Sequence, residues 1–206
     1  MNSIDKLSEM FAQFPGIGPR QAKRFVYYLL YRNNGFSEDL VHAVKNLNKE
    51  VTQCHECMRF FVYPEHGRGT KVCPICSDEH RDNSMLMIIP RDIDLEAVEK
   101  SGSYKGHYFV LGGSLPILEK EPEKRIRIKN LESRIKKGLA DGLKEIILAM
   151  NANTEGENTA DFIKENYQGL PLIFSLLGRG LSTGAELEYA DPETLKNAFK
   201  NRSSKS

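Results

Sequence analysis

Four cysteines are confined to one short stretch, as Cys54-x2-Cys57, fifteen residues, then Cys73-x2-Cys76. Two CxxC turns each offer a pair of sulfurs, and that spacing suits a single tetrahedral ion bound by four thiolates. A redox dithiol or a pair of disulfides would also use cysteines. Two CxxC pairs in one module argue against a lone redox pair, and an intracellular setting argues against disulfides. The spacing therefore predicts one structural Zn²⁺ per chain. Four thiolates fill the coordination shell and leave no position for a catalytic water. His55, His66 and His80 lie nearby, but the four-cysteine set needs no further ligand.

A second chemistry is suggested by Phe14-Pro15-Gly16-Ile17-Gly18-Pro19. Gly16 and Gly18 permit a tight turn, which lets backbone N–H groups approach a phosphate closely. Ile17 is expected to pack inward and hold the turn. The helix expected from Pro19 onward aims its positive end at the same place. Arg20, Lys23 and Arg24 follow at i, i+3 and i+4 and so share one face. From Phe14 to Arg32 there are four basic residues and no acidic one. The pattern predicts a sequence-independent, salt-sensitive grip on a nucleic-acid backbone. Tyr27, Tyr28 and Tyr31 on the same helix are expected to pack between helices. The run from Glu119 to Lys137 holds eight basic and four acidic residues, a mixture expected of a solvated helix face.

These groups need elements to hold them. Helices are predicted over 2–13, capped by Asn2 or Ser3, from Pro19 to an end at Asn33-Asn34-Gly35, and over 37–50 with Leu40, Val41, Val44 and Leu47 inward. The buried stripe of the second helix is expected to be Ala22, Phe25, Val26, Leu29 and Leu30. Residues 52–78, with Gly67 and Gly69, suit a turn-rich module. Strands are predicted at 85–89, 108–111, 145–150 and 172–177, alternating with helices at 92–101, 123–140 and 157–167. That order predicts an α/β fold with a parallel sheet covered on both faces. A last helix is predicted over 191–199 and a frayed end over 200–206.

Length and composition limit the function classes. With 206 residues, 40% hydrophobic and 28% charged, the chain is expected to be globular and soluble. A net charge of +1 means that any nucleic-acid binding must come from local clusters. No run of about 18 apolar residues is present, which argues against a membrane span. The N-terminus shows no basic segment followed by an apolar one, so a cytoplasmic location is expected.

Taken in order, FPGIGPRQAKRFVYYLL, CHEC, CPIC, the stretch from Gly102 to Gly113, Asn-Ala-Asn-Thr-Glu-Gly-Glu and Gly-Ala-Glu-Leu-Glu-Tyr-Ala-Asp191 closely resemble the RecR family of recombination mediators, over nearly the whole chain. The resemblance implies a helix-hairpin-helix at 1–52, a four-cysteine zinc finger at 53–78, a Toprim domain at 79–177, and a C-terminal segment with a Walker-B-like strand and a helix at 178–206. It implies a non-enzymatic DNA-binding protein of repair that assembles as a homo-oligomer, often a tetrameric ring. Such a protein acts with RecO and RecF to load recombinase on single-stranded DNA. By the same resemblance, Gly16, Gly18, Arg20, Lys23 and Arg24 contact DNA (duplex, gapped or single-stranded). Cys54, Cys57, Cys73 and Cys76 hold zinc, and Glu155 and Glu157 form a partner-binding acidic patch.

Catalytic Toprim domains, as in primases and topoisomerases, place a Glu after the first strand and an Asp-x-Asp after a later one, to hold Mg²⁺ for phosphoryl transfer. Here those positions read Pro90 and Asn151-Ala152-Asn153. Neutral amides are poor substitutes for anionic ligands of a hard cation. Relatives usually keep an acid at the Pro90 position, and residues 178–184 lack their usual proline. The segment Glu186-Leu187-Glu188-Tyr189 matches the Walker-B-like strand, yet the chain has no GxxxxGK[ST] phosphate loop. The alternatives are a Mg²⁺-dependent nuclease or primase-like enzyme using Asp92, Asp94, Glu155 and Glu157, and an RNA-binding zinc protein.

Overall fold

The computed structural model describes residues 1–32, 35–63 and 71–202. His66, Gly67, Gly69, Asn33, Asn34 and residues 203–206, which entered the expectations above, lie outside them. Two compact units form, one of them built on Met1–Thr52 and the other holding Gln53–Phe61 and the sheet.

In the first unit, α1 (Ser3–Phe11) is capped by Asn2, whose side chain accepts from the Asp5 N–H at 2.9 Å. Helix α2 (Pro19–Tyr31) starts at the proline, whose fixed φ suits a first turn. Its Ala22 and Val26 are buried, and Phe11 meets Phe25 edge-on at 5.7 Å. Leu30, expected inside, is 59% exposed. Helix α3 (Phe36–Glu50) buries none of its residues. Leu40, Val41, Val44 and Leu47 were expected to face inward, but all four are exposed. The first three line an open groove of about 610 Å³, whose other wall is Ile4, Leu7 and Phe11 of α1 with Val26, Leu29 and Leu30 of α2. The apolar periodicity marked the face correctly; among the described residues nothing closes over it.

Strands β1 (Val51–Gln53) and β2 (Phe60–Val62) pair as a short ribbon. Then come β3 (Asp82–Ile89), α4 (Asp92–Ser101), β4 (Gly106–Val110), the single turn α5 (Pro122–Arg125), α6 (Ile128–Ala140), β5 (Glu145–Leu148), α7 (Thr154–Tyr167) and β6 (Ile173–Leu176). The four long-range strands make one parallel sheet in the order β4-β3-β5-β6. Alternation along each strand sends side chains to opposite faces. Leu86, Ile88, Phe109, Ile146 and Leu148 meet Leu131, Ile135, Ala160 and Ile163 of α6 and α7. Met87, Ile89, Tyr108 and Val110 meet Leu95 of α4 and three of the cysteines. The doubly covered parallel sheet is the expected fold class.

The helix expected over 123–140 is two pieces. Chain is withdrawn at Ile126 and Arg127, because Ile126 is buried and the Arg127 N–H donates to the Leu111 carbonyl at 2.9 Å. Beyond the sheet, Leu187–Tyr189 forms a 3₁₀ turn, not the strand that the family resemblance implied. The Ala190 N–H closes onto the Leu187 carbonyl at 3.2 Å, a local bond where a strand would pair with a neighbour. Helix α8 (Pro192–Lys200) follows, capped by Asp191. No helix among the described residues is long and apolar enough to cross a membrane.

Candidate metal site and nucleic-acid interface

Each CxxC turn is drawn in by backbone bonds. The Cys54 N–H donates to the Arg59 carbonyl at 2.8 Å, and the Met58 N–H to the Cys54 carbonyl at 3.0 Å. Met58 sits at φ +60, a left-handed conformation that lets the chain reverse just after Cys57. The second turn closes through Cys76 and Ser77 N–H groups onto the Cys73 carbonyl. The result brings the four sulfurs within 4.8 Å of one another, with Cys57 and Cys73 3.6 Å apart. A tetrahedron with Zn–S bonds of about 2.3 Å has edges of about 3.8 Å, so the cluster fits that ion. Cys54, Cys57 and Cys73 are fully buried, and the Cys73 N–H donates to the Cys54 sulfur at 3.3 Å. Hydrogen bonding within the group lowers the Cys54 thiol and raises Cys57 and Cys76. Thiolates crowded into an apolar site are costly unless a cation neutralises them. Four cysteines this close can bind a metal ion; among the described residues no other group of three or more His, Cys, Asp or Glu side chains is so placed.

The knuckle is fastened to the sheet by residues that sequence reasoning did not single out. Arg127 donates to the Met58 carbonyl at 3.1 Å and to the Val110 carbonyl at 2.9 Å. The Val110 N–H donates to the Cys57 carbonyl at 2.8 Å. Asp92, considered as a metal ligand, instead accepts from the Phe60 N–H at 2.7 Å. Asp94 pairs with Arg91 at 3.1 Å.

In the glycine turn, Gly16 has φ +78, which disfavours any side chain there. Gly18 is extended and caps α2, its carbonyl accepting from the Ala22 N–H at 2.9 Å. A Cβ at either glycine would meet nothing within 4 Å, so the turn is open to an approaching group. Ile17 is half-buried, as expected of the residue that holds the turn. Arg20, Lys23 and Arg24 are all exposed, and the first turn of α2 carries no acid. This places cations, a helix N-terminus and uncrowded glycines together. The three tyrosines were expected to pack between helices. Tyr28 does meet Phe36 edge-on at 5.9 Å with Arg32 over its ring at 5.0 Å. Tyr27 and Tyr31 project to solvent, and Tyr31 is 83% exposed. Helical spacing could have found this, because both lie opposite Ala22 and Leu29.

The basic run after Glu119 is paired off. Lys124, Arg125, Lys129, Lys136 and Lys137 each meet a carboxylate, at 2.7, 2.8, 3.2, 2.6 and 2.6 Å. That is the solvated mixed-sign face the sequence predicts.

At the sheet's C-terminal edge, Asn153 caps α7 by accepting from the Gly156 N–H at 2.8 Å. Glu155 and Glu157 occupy the first turn of α7 and are exposed. Gly156 between them is buried against the Asn151 carbonyl, where a Cβ would collide. Glu157 pairs with Arg179 at 2.6 Å, a partner 22 residues on that no local pattern points to. Pro90 and the two asparagines supply no anionic ligand; of the nearby acids, Asp92, Asp94 and Glu157 are engaged by the Phe60 N–H, Arg91 and Arg179, while Glu155 stands exposed.

Comparison with known proteins matches residues 4–47 to the family model described as RecR, helix-hairpin-helix, residues 84–176 to the Toprim domain, and residues 180–203 to RecR, C-terminal. Among similar proteins, Recombination protein RecR of Bdellovibrio bacteriovorus is 33% identical, covering 98% of this chain and 97% of its own. The proteins of the same name from Chloroflexus aggregans and Staphylococcus saprophyticus are 35% and 36% identical. They cover 97% of this chain, and 92% and 96% of their own.

Proposed function

The chain belongs to the RecR family of recombination proteins, and from that premise we propose that it is a non-enzymatic recombination mediator that grips DNA through α2 and its glycine turn. The observation that carries the reading is the acid-free, exposed face of Arg20, Lys23 and Arg24 beside Gly16 and Gly18. Such a face holds phosphates by charge and by helix-end N–H groups, without reading bases. One structural Zn²⁺ per chain would be held by Cys54, Cys57, Cys73 and Cys76. When bound it supplies charge neutralisation and cross-linking. At the sheet edge, amides and a proline stand where phosphoryl transfer would require an anionic cage.

In this reading the protein works in the cytoplasm as a homo-oligomeric clamp, in the manner of a tetrameric ring. Enclosure of DNA adds residence time to the weak phosphate contacts. Glu155, with Glu157 once a partner's cation displaces Arg179 from it, presents negative charge to a basic surface of RecO- or RecF-type partners, which helps to load recombinase on single-stranded DNA. Supporting it, both acids are exposed at the start of a helix whose Gly156 N–H is capped by Asn153.

The test is Lys23→Ala with Arg24→Ala. DNA affinity should fall roughly 10-fold at low salt, and the slope of log affinity against log salt should shrink by about two, since each lost phosphate contact removes about 0.9. Circular dichroism and solution mass should stay unchanged. An unaltered affinity and salt slope would refute the assignment.

A further inference from the structure

We propose that Tyr27 and Tyr31 form a stacking ladder for the unpaired bases of single-stranded DNA, which turns the phosphate-gripping face of α2 into one that favours single strands. The proposal rests on the reading of α2 as a DNA contact and adds the kind of DNA it selects. At 100° per residue, Arg20, Arg24, Tyr27 and Tyr31 follow one another along a single stripe, with Lys23 at its margin. That stripe lies opposite the face that carries buried Ala22 and half-buried Leu29. Its first half is cationic and its second half aromatic.

Tyr27 is 41% exposed and Tyr31 83%. Neither ring touches another aromatic or a cation among the described residues, whereas Tyr28 is held by Phe36 and Arg32. Large exposed rings with no partner, continuous with a cationic row, are what a strand with accessible bases needs: backbone charge met on one side, π-faces on the other. Charge complementarity selects this occupant, because no carboxylate lies between Phe14 and Arg32. Spacing narrows it further. Residues four apart rise about 6 Å along a helix, well beyond the ~3.4 Å per nucleotide of a duplex strand. Rings so separated suit bases drawn apart, one per tyrosine. A duplex keeps its bases stacked inside and offers these rings nothing.

The experiment uses the full-length, metal-loaded protein and three labelled probes of one length: oligo-dT, a duplex, and an abasic strand with phosphates but no bases. Affinities are read by fluorescence anisotropy at fixed low salt. Tyr27→Ala with Tyr31→Ala is expected to weaken oligo-dT binding about 30-fold or more, the scale of losing two stacked bases. Duplex and abasic binding should change less than about 2-fold, because the phosphate contacts remain. Tyr27→Phe with Tyr31→Phe should retain oligo-dT affinity, since the rings survive. If the double alanine variant fails to fold, Tyr31→Ala alone decides, because a side chain so exposed supports no core.

Equal losses on all three probes, or no loss on any, would overturn the proposal. So would a changed solution mass with unchanged oligo-dT binding, which would assign the stripe to contact between copies of the chain. Lys23→Ala with Arg24→Ala keeps the two readings apart. It should weaken all three probes together, and its failure would sink the phosphate grip, while failure of the tyrosine variants alone would leave that grip standing.

Discussion

His107 is 6% exposed on β4, yet one side of its ring has no hydrogen-bond partner among the described residues. Its Nε2 lies 2.9 Å from the Asn83 side-chain oxygen, so that nitrogen donates and Nδ1 is left as a bare acceptor. Burial lowers its pKa below the usual histidine value, and Arg134 and Arg81 push the same way, against weaker opposition from Asp78 and Glu56. Below about pH 6.5 the unfolded chain takes up a proton that the folded chain resists, so stability is full above that pH and falls as pH drops. Thermal melts from pH 7.5 to 5 should show a decline in wild type that His107→Asn flattens; parallel curves would refute this. Gly156 presents a steric case at the same scale. A methyl group there would strike the Asn151 carbonyl, so the cap of α7 and the two flanking acids must shift together. Gly156→Ala should cost about 2 kcal/mol, a drop of several degrees in melting temperature. It should also weaken binding of a basic partner, whereas Glu155→Gln would weaken the partner without moving the melt.

Among the elements, the cysteine knuckle is the one that the proposed metal ion would tie to something outside the chain. Its sulfurs are packed with Ile75, Met87, Leu95 and Tyr108 on one face of the sheet. Removing a bound ion would leave thiolates facing that apolar surface and repelling one another. Chelation is therefore expected to destabilise the sheet as well as the knuckle. Protection of β3 and β4 amides from hydrogen exchange should drop together with metal content, and Cys57→Ser should mimic the treatment. Retained protection in the metal-free protein would show that the sheet stands without it. By contrast, the ion pairs along α5 and α6 are solvent-exposed and each contributes on the order of 0–1 kcal/mol.

For the whole molecule, what could be read from the chain depended on how local the signal was. The cysteine spacing, the Pro-bounded glycine turn and the short apolar runs of the strands are short-range patterns, and each corresponds to an element or cluster in the structure. The break at Ile126 and Arg127 was invisible, because the bonds that cause it come from Leu111, Met58 and Val110, distant in sequence. The α3 residues carried a clean helical period, but a period states only which face is apolar, not that a partner covers it. Tyr31 departs from expectation for the opposite reason: an aromatic on a helix usually finds a core, and this one meets none among the described residues. At the candidate site, the cationic face of α2 and the acids of α7 were legible, while the pairing of Glu157 with Arg179 depends on where the chain returns after β6.

The bond from the Val110 N–H to the Cys57 carbonyl has a bearing on the order in which a newly made chain matures. Cys54 and Cys57 leave the ribosome some fifty residues ahead of the strand that anchors them, and Arg127 follows later still. An ion captured early would sit in a loose loop, and its final seat would form only once β4 and the arginine had been synthesised. Maturation of this region is thus timed by the arrival of distant chain, and an N-terminal fragment ending before β4 would hold its metal without the wall that shelters it.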